Sequence, residues 1–235
     1  MGRNAAVPLI HKSQFSIHNW LVVETIRVTE IFRSIQGEGM RTGFPCAFVR
    51  LTGCSLRCVW CDSAYAFYGG REISIAEAAE KVLALGTELV EVTGGEPLEQ
   101  EGVYPLMERI LDAGRTVLLE TGGHVPLDRV DPRVVKIVDV KAPGSGMQAA
   151  NLPENLQRLA PKDELKFVLA DRRDFDWALN VVREQDLDAK NVVTFSPVWE
   201  GLAAADLAGW IRESGRKIRL GLQLHKILWG DVPGR

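Results

Sequence analysis

The chain has 235 residues, of which 46% are hydrophobic and 25% are charged, and its formal net charge is −3. This length is enough to bury a sizeable core, and the sequence has no run of Lys and Arg that would indicate nucleic acid or a membrane surface as a partner. No apolar run is long enough to cross a membrane, and no signal-peptide pattern is present. A small-molecule substrate is therefore expected, with no nucleic acid and no membrane as partners.

The first 22 residues show neither a helical nor a strand period and carry no capping signal. Residues 1–22 are therefore predicted to be a disordered N-terminal tail, or an upstream over-reading of the start. Residues 23–235 are predicted to form a single domain.

From residue 26 onward, apolar β-branched segments alternate with helical segments, which is the pattern of βα units around a parallel sheet. The chain after the tail has room for about six or seven such units, fewer than the eight of a closed barrel. The predicted fold class is therefore α/β, a partial (open) TIM-like barrel of six to seven parallel strands. Strands are predicted over 28–32, 47–51, 89–92, 116–119, 134–138, 165–169, 192–195 and 218–222.

Three helices have readable ends. Ser74 and Glu77 form a capping box at the start of one predicted helix, which ends at Gly86. Further helices are predicted over 104–113 and 203–214, and each is followed by a glycine.

Three cysteines, Cys54, Cys58 and Cys61, follow one predicted strand with the spacing C-x3-C-x2-C. A structural zinc ion or an electron-transfer iron-sulfur cluster normally takes four protein ligands, so three thiolates leave one coordination position open for chemistry. The minor alternative is a zinc site completed by a distant His124 or His225. Clustered thiols also indicate a reducing compartment, and we expect a cytoplasmic protein.

Cys46 lies apart from these three, on the approach to a predicted strand. It is predicted to be a small core residue and no metal ligand.

Polar segments follow the next three predicted strands: residues 93–97, 120–123 and 139–141. Parallel barrels form their active sites at the carboxyl ends of strands, so these segments and the cysteine loop are expected on one rim. Each also has a simpler interpretation. Gly94 and Gly95 can serve a turn alone, and Asp139 and Lys141 can be a solvated strand end.

The cysteine loop, with Trp60 before its last cysteine and with Gly94-Gly95-Glu96-Pro97 one strand later, resembles the radical S-adenosylmethionine (SAM) superfamily. The resemblance implies a radical SAM core in which Cys54, Cys58 and Cys61 hold three irons of a 4Fe-4S cluster. The fourth iron would bind the amino and carboxylate groups of SAM. One electron from an external donor such as flavodoxin or ferredoxin would then produce a 5'-deoxyadenosyl radical.

A narrower resemblance covers most of the chain, from about residue 28 to residue 229. Residues 30–39, 48–50, 61–63, 93–97 and 222–230 together resemble the 7-carboxy-7-deazaguanine synthase family of the queuosine pathway, and the Gln-Gly-Glu-Gly segment at 36–39 discriminates best. The resemblance implies a carbon-nitrogen lyase that converts 6-carboxy-5,6,7,8-tetrahydropterin to 7-carboxy-7-deazaguanine by radical ring contraction with loss of ammonia. It also implies dependence on Mg²⁺.

The same resemblance implies a role for each of several side chains. Gln36 and Glu38 would read the amide and amidine edge of a pterin, while Arg50 would bind its carboxylate; the alternative for Arg50 is a surface ion pair. Ser63 would give a hard oxygen to Mg²⁺, where otherwise it is a turn residue. The implied substrate contacts are Ile35, Gln36, Gly37, Glu38, Arg50 and Thr93. The implied cofactor contacts are Trp60, Cys61, Asp62, Gly95, Glu96, Glu120 and Lys141.

Two other functions share part of this pattern. A glycyl-radical activating enzyme acting on a partner protein would share the cysteine loop, but segment 36–39 and Arg50 favour a small acidic heterocycle. A non-enzymatic metal or electron-transfer module would share only the cysteines. A homodimer is also expected, because an open barrel leaves sheet edges that a second copy can cover.

Overall fold

The computed structural model describes residues 24–234, so the predicted tail over 1–22 lies outside the described residues. One nine-stranded sheet organises them, in the order β3-β1-β2-β4-β5-β6-β7-β8-β9. The strands are β1 (Thr25–Ile35), β2 (Pro45–Leu51), β3 (Arg71–Ser74), β4 (Leu89–Gly94), β5 (Thr116–Thr121), β6 (Val135–Asp139), β7 (Glu164–Leu169), β8 (Val192–Pro197) and β9 (Ile218–Leu220).

Seven α-helices accompany the sheet within residues 24–234. They are α1 (Ile75–Ala84), α2 (Val103–Asp112), α3 (Pro153–Gln157), α4 (Arg172–Glu184), α5 (Leu187–Lys190), α6 (Ala204–Ser214) and α7 (Leu224–Trp229). The predicted capping box is confirmed, because the Ser74 side chain accepts a hydrogen bond from the Glu77 amide at 3.0 Å. Each helix in this part of the chain is too short or too polar to span a membrane.

The seven strands β2 and β4 to β9 are parallel, which confirms the predicted partial barrel. The first predicted strand, 28–32, is different. It lies within β1, which pairs antiparallel with both β2 and β3. β3 was not predicted, because its four residues contain only one buried side chain, Ile73, and so show no period.

The parallel strands are apolar on both faces over most of their length, as expected for a sheet covered by helices. One face packs against the helices. On the other face, six buried residues form a separate apolar cluster: Cys46, Phe48, Leu89, Leu118, Val135 and Ile137. Cys46 is fully buried there, as predicted.

Polar residues follow that inner cluster two positions further along four strands. Phe48 is followed by Arg50, Leu89 by Glu91, Leu118 by Glu120, and Ile137 by Asp139. Since side chains two apart on a strand share a face, the inner face changes from apolar to charged toward the carboxyl ends. We therefore expect the functional site at the charged end of this inner face, where the strands have their carboxyl ends.

Candidate active site

A cavity of about 700 Å³ opens at the carboxyl ends of the parallel strands. Every residue to which the sequence assigned a site role lines this cavity, so the structure brings all of them together. They are Ile35, Gln36, Gly37, Glu38, Arg50, Cys54, Cys58, Trp60, Cys61, Asp62, Ser63, Thr93, Gly95, Glu96, Glu120 and Lys141.

Cys54, Cys58 and Cys61 are free, partly exposed thiols on the loop that follows β2. Burial raises the pKa of Cys54 to about 11 and also raises the pKa of Cys58, so both are protonated until a metal displaces the proton. Within residues 24–234, no three His, Cys, Asp or Glu side chains are grouped to hold a single metal ion. The zinc alternative with His124 or His225 therefore gains no support. The donor set instead fits a multi-iron cluster, in which each thiolate binds a different iron.

The turn after β4 approaches the cysteine loop closely. The Glu96 amide donates to the Gly53 carbonyl at 2.8 Å, and the Gly95 amide donates to the Leu51 carbonyl at 3.1 Å. A Cβ atom at Gly95 would overlap the Gly53 carbonyl and lie 2.9 Å from Cys54 Cβ. Glycine at this position thus has a packing reason beyond a simple turn.

Glu96 is a fully buried carboxylate with several protein donors. Its Oε1 accepts from the Leu98 amide at 3.0 Å and from Thr121 Oγ1 at 2.9 Å, and its Oε2 accepts from the Gly122 amide at 2.8 Å. Burial raises the pKa of Glu96, while His124 and these hydrogen bonds lower it. The carboxylate is therefore fixed in orientation before any ligand arrives.

Charged side chains on neighbouring strands form a network on the inner face. Lys166 Nζ lies 2.6 Å from Glu38 Oε2 and 2.8 Å from Glu120 Oε1. Burial alone would raise the pKa of Glu120, but the charge of Lys166 lowers it to about 2. Burial, followed by the charge of Glu120, holds the pKa of Glu91 well above its ordinary value, and Gln36 Nε2 donates to Glu91. The pKa values of these two carboxyl groups, on adjacent strands, are therefore shifted in opposite directions.

Arg50 forms the ion pair that the sequence left open, but it does so at the wall of the cavity. Its Nε donates to Glu30 Oε1 at 2.8 Å, and Tyr65 Oη donates to the same oxygen at 2.7 Å. Only 18% of the Arg50 side chain is exposed, so this is no ordinary surface pair. The hydrogen bond to Glu30 uses Arg50 Nε, and the two terminal guanidinium nitrogens can donate to a ligand in the cavity.

Residues near the carboxyl terminus hold Asp62. Gln223 Nε2 donates to Asp62 Oδ2 at 3.1 Å, and Lys226 Nζ donates to the same oxygen at 3.2 Å. Although burial would raise the pKa of Asp62, the charge of Lys226 lowers it to about 2. Ser63 Oγ lies 3.5 Å from Asp62 Oδ1 and 4.0 Å from Cys61 Sγ.

Asp139 and Lys141 are not a solvated strand end. Lys141 Nζ donates to Asp139 Oδ2 at 2.9 Å, and both side chains are less than one-fifth exposed. Burial would lower the pKa of Lys141, but the charge of Asp139 raises it. Lys141 is thus a buried cation on the cavity wall.

Several residues of the site carry no predicted role. Glu30 accepts a hydrogen bond from Arg50, and five others line the cavity: Tyr65, Glu91, Lys166, Gln223 and Lys226. Glu91 and Lys166 have a readable signal, because each is a charged residue between apolar residues of a predicted strand. Segment 222–230 is part of the family resemblance, but among its residues only His225 has a predicted role, as a ligand in the zinc alternative. Nothing local to Glu30 or Tyr65 indicates their contact with Arg50.

Comparison with known proteins agrees with this geometry. The family model of the Radical SAM superfamily matches residues 48–151. A 7-carboxy-7-deazaguanine synthase from Koribacter versatilis (strain Ellin345) is 48% identical over 219 residues, covering 87% of this chain and 97% of the relative. The synthase from Chlorobaculum tepidum is 42% identical over 207 residues, covering 87% and 94%. The crystal structure of QueE from Escherichia coli shares the fold with a TM-score of 0.70 and 24% identity, covering 86% of this chain and 95% of that chain.

The parallel sheet, the cavity at its carboxyl edge and the cysteine loop beside Gly95 and Glu96 define a radical SAM enzyme. Its superfamily implies the 4Fe-4S cluster and SAM as cofactors, as predicted. The relatives are more specific: the chain belongs to the 7-carboxy-7-deazaguanine synthase family. The narrower resemblance is thereby confirmed, and the interpretation as a non-enzymatic metal module is excluded.

Proposed function

We propose that the chain converts 6-carboxy-5,6,7,8-tetrahydropterin to 7-carboxy-7-deazaguanine by radical ring contraction with loss of ammonia, in the biosynthesis of queuosine and other 7-deazapurines. The observation that carries this proposal is the set of complementary groups on the cavity wall. Glu120 pairs with the cation of Lys166, Glu91 on the adjacent strand accepts a hydrogen bond from Gln36, and Arg50 lies on β2, the other neighbour of β4. A heterocycle with an amide edge and a carboxylate can form hydrogen bonds or ion pairs with all of these side chains.

Substrate recognition is assigned to the wall formed by β1, β2 and β4. Gln36 and Glu38 read the pterin edge, with Ile35 and Gly37 giving backbone contacts in the same segment. Arg50 binds the substrate carboxylate through its terminal nitrogens, while Glu30 holds its Nε. Thr93, which donates to Glu120 at 3.2 Å, completes this side of the pocket.

The proposed cofactor residues lie on the cysteine loop, in the turn after β4 and at the ends of β5 and β6. Cys54, Cys58 and Cys61 hold the cluster, and the SAM contacts are Trp60, Asp62, Gly95, Glu96, Glu120 and Lys141. When bound, the cluster and SAM supply the one-electron cleavage that starts the radical reaction. The protein would hold the cluster and SAM in fixed relative positions. The Gly95 amide donates to the carbonyl of Leu51 at the end of β2, and the Glu96 amide donates to the carbonyl of Gly53 beside the cysteine loop.

Mg²⁺ is assigned to Ser63. A hydroxyl oxygen beside the Asp62 carboxylate is a hard donor, and Mg²⁺ usually keeps several waters and shares a substrate carboxylate. Ser63→Ala should weaken activation by added Mg²⁺ while the cluster still forms. Identical magnesium titrations of the two proteins would remove Ser63 from the site.

Further parts of the proposal concern the electron donor, the compartment and the assembly of the chain. The electron donor is an external one-electron protein such as flavodoxin or ferredoxin, the compartment is the cytoplasm, and the chain acts as a homodimer built from one domain over 23–235. Reducing conditions protect both the thiols and the cluster, which supports the compartment.

Product analysis tests the function directly. The protein is reconstituted anaerobically with iron and sulfide and incubated with reductant, SAM, Mg²⁺ and 6-carboxytetrahydropterin, and the products are analysed by mass spectrometry. 7-carboxy-7-deazaguanine together with ammonia is the expected result. Cleavage of SAM without either product would mean that the substrate is another molecule.

A further inference from the structure

His124 is a buried histidine to which the proposed function gives no role. It follows β5, and only 9% of its side chain is exposed. Its Nε2 lies 3.0 Å from Glu99 Oε1 and 3.2 Å from Ser55 Oγ. Its buried Nδ1 has no hydrogen-bond partner within the described residues and lies 3.6 Å from Glu96 Oε2.

The backbone on both sides of His124 is fixed. The Asn155 side chain is buried and donates to the carbonyls of Gly123 at 3.0 Å and Val125 at 2.9 Å. A Cβ atom at Gly122 would lie 3.0 Å from His124 Nδ1, so the chain passes close to the imidazole. The imidazole is therefore held in place by the fold and is no mobile surface group.

The two carboxylates beside His124 belong to the same turn after β4. Glu96 begins this turn and Glu99 ends it. Glu99 Oε1 also accepts from the Ser55 amide at 3.0 Å, and Ser55 directly follows the cluster ligand Cys54. His124 thus stands at the point where the cofactor carboxylate, the cysteine loop and the exit of β5 meet.

We propose that His124 is a positioning residue: its imidazole lies against the Glu96 carboxylate and joins the Glu96 turn to the cysteine loop through Glu99 and Ser55, which holds Glu96 in place for contact with the cationic SAM. This inference rests on the proposed cofactor role of Glu96. Burial raises the pKa of Glu96, and His124 acts in the opposite direction. An uncharged carboxyl would lose most of its attraction for a cation, so removing the imidazole should weaken SAM binding.

The test compares the dissociation constant of SAM in reconstituted proteins, measured by equilibrium dialysis, alongside iron and sulfide content. His124→Ala should raise the dissociation constant about tenfold, the size expected for losing one interaction with a charged group, with unchanged iron content. His124→Asn places an amide nitrogen near the position of Nδ1 and should recover much of the affinity. His124→Gln places it near Nε2 and should recover less. Asp128→Asn is the matched control, since Asp128 lies on the same connection but is 56% exposed.

An unchanged dissociation constant in His124→Ala would overturn the proposal, as would better recovery by Gln than by Asn. Loss of iron from His124→Ala would also overturn it, because the residue would then act on the cluster. If circular dichroism shows that His124→Ala does not fold, the dissociation constants of His124→Asn and His124→Gln decide whether the proposal holds. A failure of the proposed function looks different, because then the unmodified protein and the Asp128→Asn control would bind and cleave SAM without forming 7-carboxy-7-deazaguanine.

Discussion

At the scale of single residues, the four cysteines separate by environment. Cys46 lies at the inner apolar cluster with no exposed surface, whereas Cys54, Cys58 and Cys61 line the cavity. Burial also raises the pKa of Cys46, which disfavours the thiolate that iron requires. Access to the cavity thus separates the three loop thiols from Cys46, which lies on β2.

Replacing any one of the three cavity cysteines with serine should abolish cluster incorporation and activity, because a hydroxyl is a poor ligand for iron. Iron and sulfide analysis after reconstitution measures the first effect, and product formation measures the second. Cys46→Ser should keep both and lose only about 1–3 kcal/mol of stability for burying a hydroxyl. Iron loss in Cys46→Ser, with iron retained in one of the other three variants, would refute the ligand assignment.

Arg50→Lys should raise the KM for the pterin about tenfold, because an ammonium group cannot reproduce two parallel hydrogen bonds to a carboxylate. Steady-state kinetics at saturating SAM measure this change. Arg27→Lys is the control, since Arg27 is a surface arginine that pairs with Glu72 and is 50% exposed. Equal kinetics for Arg50→Lys and the unmodified protein would leave Arg50 as a structural partner of Glu30.

At the scale of elements, α7 brings the motif 222–230 into the site. The Leu224 amide donates to the Gly37 carbonyl at 3.0 Å, and a Cβ atom at Gly37 would overlap the His225 imidazole. Gln223 Nε2 donates to Glu38 Oε1 at 3.1 Å as well as to Asp62. This short helix and its N-cap residue therefore connect segment 36–39 to Asp62, the residue that follows the last cysteine.

Lys226→Met should destabilise the protein before cluster reconstitution by about 1 kcal/mol at pH 7, since the Asp62 partner is partly exposed and the pair is screened. The folded-state pKa of Asp62 is about 2, below its unfolded value, so this stability is present above about pH 4 and is lost as pH falls toward 2. Urea unfolding at pH 7 and pH 3 measures both effects. Lys226→Arg keeps the charge and serves as the control. An equal loss at both pH values would assign the effect to packing.

The same elements show what the sequence could and could not predict. Seven parallel strands were predictable, because β-branched runs between capped helices carry the pattern of βα units. The antiparallel direction of β1 was missed, although only residues 36–44 separate β1 from β2 and a parallel crossover needs a longer connection. The ion pairs of Lys166 could not be predicted. Glu38 and Glu120 come from separate parts of the sequence, and each lies beside Lys166 only because of the order of strands in the sheet.

At the scale of the whole molecule, the sheet ends at β3 and β9, each of which pairs with a single strand among the described residues. Large apolar side chains are exposed near β9, on α7 and its flanks: Leu222, Ile227, Leu228, Trp229 and Val232. Exposed edges and apolar patches are usually covered in stable proteins. A second copy of the chain would cover both.

The chain is therefore expected to be a homodimer at micromolar concentration, which size-exclusion chromatography with light scattering measures as twice the chain mass of 26.0 kDa. Ile227→Glu should shift the equilibrium toward monomer, because a charge in an apolar interface loses its hydration without gaining a partner. Glu72→Gln, on the exposed edge strand β3, removes a charge but adds none, and it should leave the mass unchanged. A monomer in the unmodified protein would contradict the predicted dimer, and a dimer that persists with Ile227→Glu would place the interface away from α7.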